Sequence, residues 1–296
     1  MNSRSVIVTG ATGFIGSNLV FSLIRKGFDV HILVRDTSDL SILGNIVESS
    51  TVHIYNGSIV DLKKTFSIVK PSHVFHLASL FLAQHDDSNI TDLLESNIIF
   101  STHVVEAMVS EGVPFLINTG TSWQHFTDDT YVPVNLYAAT KEAFENILEF
   151  YIQTSNLKVT TLKLFDTYGP NDPRKKLLRL LHDISVSKDA LSMSAGEQKI
   201  NLVYIDDVIR AFEHAYDEIS RQIELHSRYS VSSAKPLTLK ELVVIFEDTL
   251  NVKLNINWGE REYRNREVMV PWSGEQVLKG WHPEIDLKTG LKRAFG

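Results

Sequence analysis

The sequence predicts an α/β protein, a Rossmann-type doubly wound parallel sheet with a smaller C-terminal α/β lobe. Three observations carry that expectation. Short β-rich runs alternate with longer helical patterns through the first half of the chain. A glycine-marked turn, Gly10, Gly13 and Gly16, joins the first such run to the first helical pattern. After Leu164 the alternation breaks at YGPNDPRKK, Tyr168 to Lys176, a loop marked by Pro and Gly.

Taken in order, strands are expected at Ser5–Thr9, Asp29–Val34, Thr51–Tyr55, His73–Leu77, Pro114–Asn118 and Lys158–Leu164. Helices are expected at Ile15–Lys26, Asn97–Glu111 and Leu136–Tyr151, where apolar residues recur at helical spacing. In the last of these the apolar stripe reads Leu136, Ala139, Ala143, Ile147 and Tyr151. Right-handed crossovers between the strands give the doubly wound sheet. The dinucleotide domain is assigned to residues 1–165, with 197–222 returning to it, and the substrate lobe to 166–196 and 223–296. There is no internal repeat, low-complexity tract or long linker, so the lobe is expected to pack against the first domain.

Composition narrows the function classes. With 296 residues, 43% of them hydrophobic, the chain has enough apolar material for a core that needs no staples. It has no cysteine, which excludes disulfides, thiolate metal sites and a cysteine nucleophile. No apolar stretch approaches the ~20 residues that span a bilayer, and the run Val6-Ile7-Val8 follows Met1 too closely for a signal peptide, so a cytoplasmic location is expected. A formal charge of -7 and a pI of about 5.9 argue against a nucleic-acid surface. No metal site is read.

In VIVTGATGFIGSNLV the glycines fall after a strand and at the start of a helix, where the backbone can approach a diphosphate seated at the positive helix end. In NAD-binding folds an acidic residue about 20 positions further on accepts the ribose hydroxyls. Here that position reads Leu33-Val34-Arg35, with no carboxylate before Asp36. Arg35 suits a 2'-phosphate, which favours NADP(H) and leaves NAD(H) as the alternative.

The segment TSWQHFTDDTYVPVNLYAATK brings Thr121, Ser122, Tyr137 and Lys141 into one stretch. A spacing of four puts Tyr137 and Lys141 on one face of the third helix. A neighbouring ammonium favours the phenolate, so Lys141 is expected to lower the Tyr137 pKa from its free value near ~10 toward the range of proton exchange at neutral pH.

Gly10-Ala-Thr-Gly13-Phe-Ile-Gly16, HVFHLAS (His73 to Ser79), Asn97, Tyr137-Ala-Ala-Thr-Lys141, YGP (Tyr168 to Pro170) and VYIDDV (Val203 to Val208) resemble the extended short-chain dehydrogenase/reductase family of sugar-nucleotide epimerases, dehydratases and reductases. Within it, NTGTSW through YAATK and the later YRNREVM are similar to the 4-keto reductases of dideoxyhexose pathways, the CDP-paratose and CDP-abequose synthases. The resemblance implies that Tyr137 is the catalytic acid or base, that Lys141 binds the nicotinamide ribose, and that Thr121 or Ser122 hydrogen-bonds the substrate oxygen. The family's usual hydroxyl position can fall on Gly120, which shifts that role to its neighbours. It further implies cofactor contacts from Gly10, Thr12, Gly13, Phe14, Ile15, Gly16, Arg35, Ser58, Ile59, Leu77, Ala78, Ser79 and Asn97. His76 is read either as lying along the cofactor or as a satisfied buried strand residue. Ser58 stands where an Asp often meets adenine.

For a nucleotide-diphosphate sugar the candidate contacts are Trp123 for the sugar and Arg174, Lys175 and Arg264 for the diphosphate; Lys176, Arg261 and Arg266 belong to the same two basic clusters. Where relatives carry Arg-Asp before the VYIDDV strand, this chain has Ile200-Asn201, and a phosphate contact there is lost. No Asp-Glu pair accompanies Thr121, and Asp128 and Asp129 lie several residues off, so dehydration is disfavoured. The absence of cysteine disfavours the fucose-synthase type of epimerase-reductase. A 4-keto reductase drawing on NADPH is the leading expectation, with a 4-epimerase or a non-catalytic NADP-binding protein as alternatives. The resemblance also implies a homodimer through a four-helix interface.

Overall fold

The computed structural model describes residues 4–128, 130–273 and 276–296. In chain order its strands are β1 (Ser5–Thr9), β2 (Asp29–Arg35), β3 (Thr51–Tyr55), β4 (His73–His76), β5 (Phe115–Thr121), β6 (Lys158–Leu164), β7 (Asp166–Tyr168), β8 (Ala190–Met193), β9 (Lys199–Ile200), β10 (Leu202–Tyr204), β11 (His226–Val231), β12 (Leu237–Thr238) and β13 (Asn255–Trp258). The α-helices are α1 (Phe14–Arg25), α2 (Ile59–Val69), α3 (Ile90–Leu94), α4 (Phe100–Ser110), α5 (Leu136–Thr154), α6 (Leu177–Ser187), α7 (Ile205–Ile219), α8 (Leu239–Leu250) and α9 (Leu287–Phe295). None of the described helices is long and apolar enough to cross a membrane.

Seven strands in the order β11-β6-β5-β4-β1-β2-β3, each parallel to its neighbours, form the central sheet. A parallel sheet covered on both faces needs apolar residues pointing both ways, and the strand period of two divides them. Val6, Val8, Phe75, Ile117 and Leu162 enter one core, with Leu19, Leu23, Phe212 and Ala215 of α1 and α7. Ile7, Val74, Leu116 and Val159 enter the other, with Phe66, Met108, Phe144 and Leu148 of α2, α4 and α5. Each fully buried phenylalanine among these contributes about 1.5–3 kcal/mol by transfer from water.

Strand order reverses at β1, which lies between β2 and β4. The carboxyl ends of β1 and β4 therefore diverge into helices on opposite sides, leaving the crevice in which open α/β sheets hold their ligands.

Two sequence expectations change here. The lobe boundary at residue 223 moves, because β11 joins the main sheet beside β6, and chain through Val231 thus belongs with the first domain. Core residues also run on without a break from the sheet into α8, Trp281 and α9, so the lobe does not close a separate core. The second change concerns α5. Its buried face carries Tyr137, Ala138, Thr140, Lys141, Phe144, Glu145, Leu148, Tyr151 and Ile152, whereas Leu136, Ala139, Ala143 and Ile147 are half-exposed. The apolar stripe misled because the interior face of this helix includes the polar side chains of a site.

The smaller lobe is built from three two-stranded pieces, β7-β10, β9-β12 and β8-β13, with α6, α8 and α9. Asp207, wholly buried at the start of α7, ties it down by accepting the N–H groups of Glu284 (3.1 Å) and Ile285 (3.0 Å) while pairing with Arg210 (2.5 Å).

Candidate active site

The glycine turn after β1 is sterically closed to side chains. Gly10 has φ +71°, and a Cβ there would lie 2.6 Å from the backbone of Leu77 and Ala78 at the end of β4; one on Gly16 would lie 2.0 Å from the Gly10 carbonyl oxygen. The turn is therefore packed against β4 and against α1 at backbone distance. Helix α1 starts from Gly13 with no side-chain cap, so the N–H groups of its first turn are left for an anion. This fits a dinucleotide diphosphate. Register places Thr9 opposite Leu33, so Arg35 stands at the end of β2 beside the turn, exposed to solvent.

A cleft of about 230 Å³ opens from this turn and is lined by Gly10, Gly13, Phe14, Ile15 and Gly16 on one side and by Ser79, Thr121, Ser122, Trp123, Tyr137 and Lys141 on the other. Asn135 caps α5 by accepting the Ala138 N–H (2.9 Å), and its amide also donates to the Leu82 and Ala83 carbonyls. The first turn of α5 is thereby fixed against the loop after β4. Phe81 packs edge-on to Tyr137 (5.0 Å, 80°) and against Trp123 (5.5 Å), forming an aromatic wall at the cleft.

Tyr137 and Lys141 are both buried. Burial pushes the Tyr137 phenol up to about 12, opposed by hydrogen bonding from the Ser79 and Thr121 side chains, and burial pulls Lys141 down to about 8, opposed by the charge of Glu145. The expected lowering of Tyr137 by Lys141 is thus corrected: burial sets the direction, and the phenol is raised above its usual range. Its position between Ser79, Thr121 and the cleft still allows proton transfer to an oxygen bound there.

Asn97 accounts for the placement of Ser79. It sits in a π-helical turn, Glu95–Ile99, between α3 and α4. Its carbonyl accepts the Leu80 N–H (2.7 Å) and the Ser79 hydroxyl (3.1 Å), while its amide donates to the Leu80 carbonyl (3.0 Å) and to Thr140 Oγ1 (2.9 Å). All four bonds of its amide are made, so Asn97 fastens the β4 loop to α5 from beneath the cleft and does not line it. His76 is a satisfied core residue: Nδ1 meets Thr9 Oγ1 and Nε2 meets Ser101 Oγ, both at 2.9 Å, and burial first, then Lys141, lowers it to about 3. Ala78 donates its N–H to Thr9 Oγ1 (3.1 Å).

Other expected residues stand elsewhere. Thr12, Arg35, Ser58 and Ile59 lie outside the cleft lining; Ser58 caps α2 by accepting the Asp61 N–H (3.2 Å). Lys175 is exposed and Arg264 faces Glu267 at 3.6 Å, and neither lines a cavity described here. The guanidinium of Arg266 stacks on Phe126 (4.4 Å) and donates to the Pro133 and Val134 carbonyls, which occupies it structurally. Asn201 holds Ser233 through three hydrogen bonds in place of any phosphate. Asp128 closes its own turn onto Thr130, and Asp129 lies outside the described residues.

Arg174 does reach the cleft. It makes two bonds to Asp172 (both 2.7 Å), a third to the Thr167 carbonyl (2.9 Å), and lies over the Phe14 ring at 4.6 Å. Lys176 is paired with Asp166 (3.0 Å). Asp166, Thr167, Arg174 and Lys176 also line a second cavity of about 170 Å³ that runs to His182, Ile200 and Phe295. Sequence reasoning did not single out Phe81, Asp166, Thr119, Gln124 or Glu145. Lys176 belongs to the basic cluster that the sequence offered for the diphosphate, and it does line the cleft.

Residues 6–227 match the NAD dependent epimerase/dehydratase family. The chain is 31% identical to a CDP-abequose synthase of Yersinia pseudotuberculosis over 90% of its own length and 91% of that protein. It is 30% identical to UDP-glucuronate 4-epimerase 2 of Arabidopsis thaliana over 99% of its length and 75% of the relative. Its fold superposes on a UDP-glucose 4-epimerase of Thermotoga maritima with a TM-score of 0.85 at 22% identity, covering 98% of this chain and 97% of the other.

Proposed function

Because the chain belongs to the NAD dependent epimerase/dehydratase family, we propose that it is an NADPH-dependent reductase of the C4 keto group of a CDP-linked 3,6-dideoxyhexose, acting in the cytoplasm in surface-polysaccharide sugar synthesis. The observation that carries this reading is the buried Tyr137 phenol, hydrogen-bonded with Thr121 and Ser79 at a cleft that shares Asp166, Thr167, Arg174 and Lys176 with a second cavity. A ketone reductase needs a proton donor at the developing alkoxide and no second acid, and the carboxylate among the cleft-lining residues, Asp166, is paired with Lys176 (3.0 Å). The similarity to CDP-abequose synthase supports the CDP-linked class.

When bound, the reduced dinucleotide supplies a hydride to the carbonyl carbon. The chain's own residues do the rest. Tyr137 Oη gives its proton to the C4 oxygen, Thr121 Oγ1 holds that oxygen, and the Lys141 ammonium stabilises the phenolate left behind. The sugar rests against Phe81 and Trp123, and the nucleotide extends past Arg174 and Lys176 into the second cavity.

The assay is loss of NADPH absorbance with CDP-4-keto-3,6-dideoxyglucose. Stoichiometric consumption is expected. Conversion of a non-keto UDP-sugar without net oxidation would instead establish the epimerase reading, which the similarity to UDP-glucuronate 4-epimerase 2 favours. Tight NADPH binding with no turnover of either would establish a binding protein. For the cofactor, Arg35→Ala is expected to weaken NADPH binding roughly 10- to 100-fold, the loss of one charged hydrogen-bonded contact, and to leave NADH binding unchanged. Equal effects on both dinucleotides would remove Arg35 from 2'-phosphate recognition. Half-exposed Leu136, Ala139, Ala143 and Ile147 on α5, together with Phe150 at 64% exposure, support pairing of two copies through α4 and α5; light scattering of the chain reads this directly.

A further inference from the structure

Gln124 and Glu145 form a polar connection buried behind the candidate active site. Gln124 is fully buried, and its amide nitrogen donates to Glu142 Oε2 (2.6 Å) and Glu145 Oε1 (2.9 Å). Carboxylates only accept, so both amide hydrogens are committed and the carbonyl end of Gln124 must face the other way, where it accepts the Thr121 N–H at 2.9 Å. Gly120 makes this possible, since a Cβ there would lie 2.9 Å from Gln124 Oε1. The glycine at the position where a hydroxyl was expected thus leaves room for the amide that sets Thr121.

Glu145 is itself buried, one helical turn from Lys141 on the interior face of α5. Its second oxygen accepts from Arg228 Nε at 3.1 Å. Arg228 also reaches Glu149 (2.8 Å), which His226 Nδ1 meets at 2.8 Å.

We propose that Glu145 is a positioning residue for the reaction: through Gln124 it fixes the backbone from which Thr121 reaches Tyr137, and it places a buried carboxylate one helical turn from Lys141. The inference rests on the Tyr137 and Lys141 roles given above. The charged and titratable groups around the pair are Tyr137, Glu142 and Glu149 on α5, His76 on β4, Arg228 and His226 on β11, and Lys163 on β6, which meets His125 at 2.8 Å. On α4, Glu106 is engaged by Lys63 and Tyr151. Glu145 is the group that raises Lys141 against the effect of its burial.

Glu145→Gln keeps a hydrogen-bonding side chain of the same size and removes the charge. It is expected to move the alkaline limb of the kcat profile about one pH unit or more toward acid, the size of a close opposite-charge effect, with KM for the CDP-linked keto sugar unchanged. Gln124→Ala removes the bridge and keeps the charge; kcat is expected to fall ~10-fold, the loss of about one buried hydrogen bond, at every pH with the limb in place. A carbon-13 titration of labelled Lys141, run without dinucleotide, is expected to show the same acid shift in Glu145→Gln.

Should that variant not fold, Arg228→Gln is expected to move the Lys141 titration the opposite way. An unmoved Lys141 titration in whichever of these variants folds would overturn the proposal, as would a kcat limb unmoved in Glu145→Gln. Tyr137→Phe is assayed alongside. Undiminished turnover there would overturn the assignment of the reaction, while the Lys141 titration still decides the role of Glu145.

Discussion

Replacing Tyr137 by phenylalanine is expected to lower kcat by about 10²- to 10⁴-fold, the range contributed by a positioned general acid. That corresponds to about 3–5.5 kcal/mol of barrier. The substitution removes one oxygen and leaves the ring, which is packed edge-on against Phe81 in a buried position, so the fold and substrate affinity are expected to survive. In the wild type the rate is expected to fall as pH rises through about 8, where Lys141 loses its proton, well below the value near 12 at which Tyr137 would ionise. Measured kcat and KM for Tyr137→Phe, with a pH profile of the wild type, check both statements. A kcat within a factor of a few of wild type would show that the proton comes from elsewhere.

The second large effect lies at the glycine turn. Gly16→Ala puts a methyl group 2.0 Å from a backbone oxygen, which cannot rotate away as a side chain could, so the turn itself must shift. Overpacking of this kind costs about 1–3 kcal/mol, and the strain falls on the N–H groups that would meet the diphosphate. Dinucleotide binding is therefore expected to weaken roughly 10- to 100-fold. Gly13→Ala supplies the control, because its Cβ would sit 3.3 Å from the same oxygen, a distance a small adjustment relieves. Quenching of protein fluorescence by NADPH compares the two. Equal losses would mean that the glycines serve chain flexibility and not close approach.

The parts of this site that were legible in the sequence are those set by short-range geometry. Gly10, Gly13 and Gly16 follow a strand directly, and four residues separate Tyr137 from Lys141 on one helix, so periodicity alone brings them together. Adjacent hydroxyls at Thr121 and Ser122 were visible for the same reason, and Thr121 is the one that meets Tyr137. What escaped depends on distant chain. Gln124 gains its meaning from Glu142 and Glu145, and Glu145 from Arg228, 83 residues further on.

Arg264 and Lys175 looked like diphosphate ligands because charge is visible in a sequence and pairing is not; the structure leaves Lys175 in solvent and faces Arg264 with Glu267. The rise of the Tyr137 pKa was missed on similar grounds. Proximity of Lys141 follows from spacing, whereas the depth of burial that raises the phenol follows from tertiary packing such as that of Phe81 against the ring. The β11 strand was read as lobe because the chain reaches it after a detour through β7–β10 and α7, and its parallel pairing with β6 is a long-range event.

The central claim is that this cleft moves a hydride and a proton onto a sugar carbonyl in one direction. NADPH carrying deuterium at the transferable position of the nicotinamide tests it most directly, with CDP-4-keto-3,6-dideoxyglucose as substrate and mass and NMR analysis of the product. The account predicts a 4-hydroxy sugar bearing deuterium at C4 and an equal amount of oxidised dinucleotide. A 4-hydroxy product without deuterium at C4, or recovery of the keto sugar unchanged beside tightly bound cofactor, would contradict it.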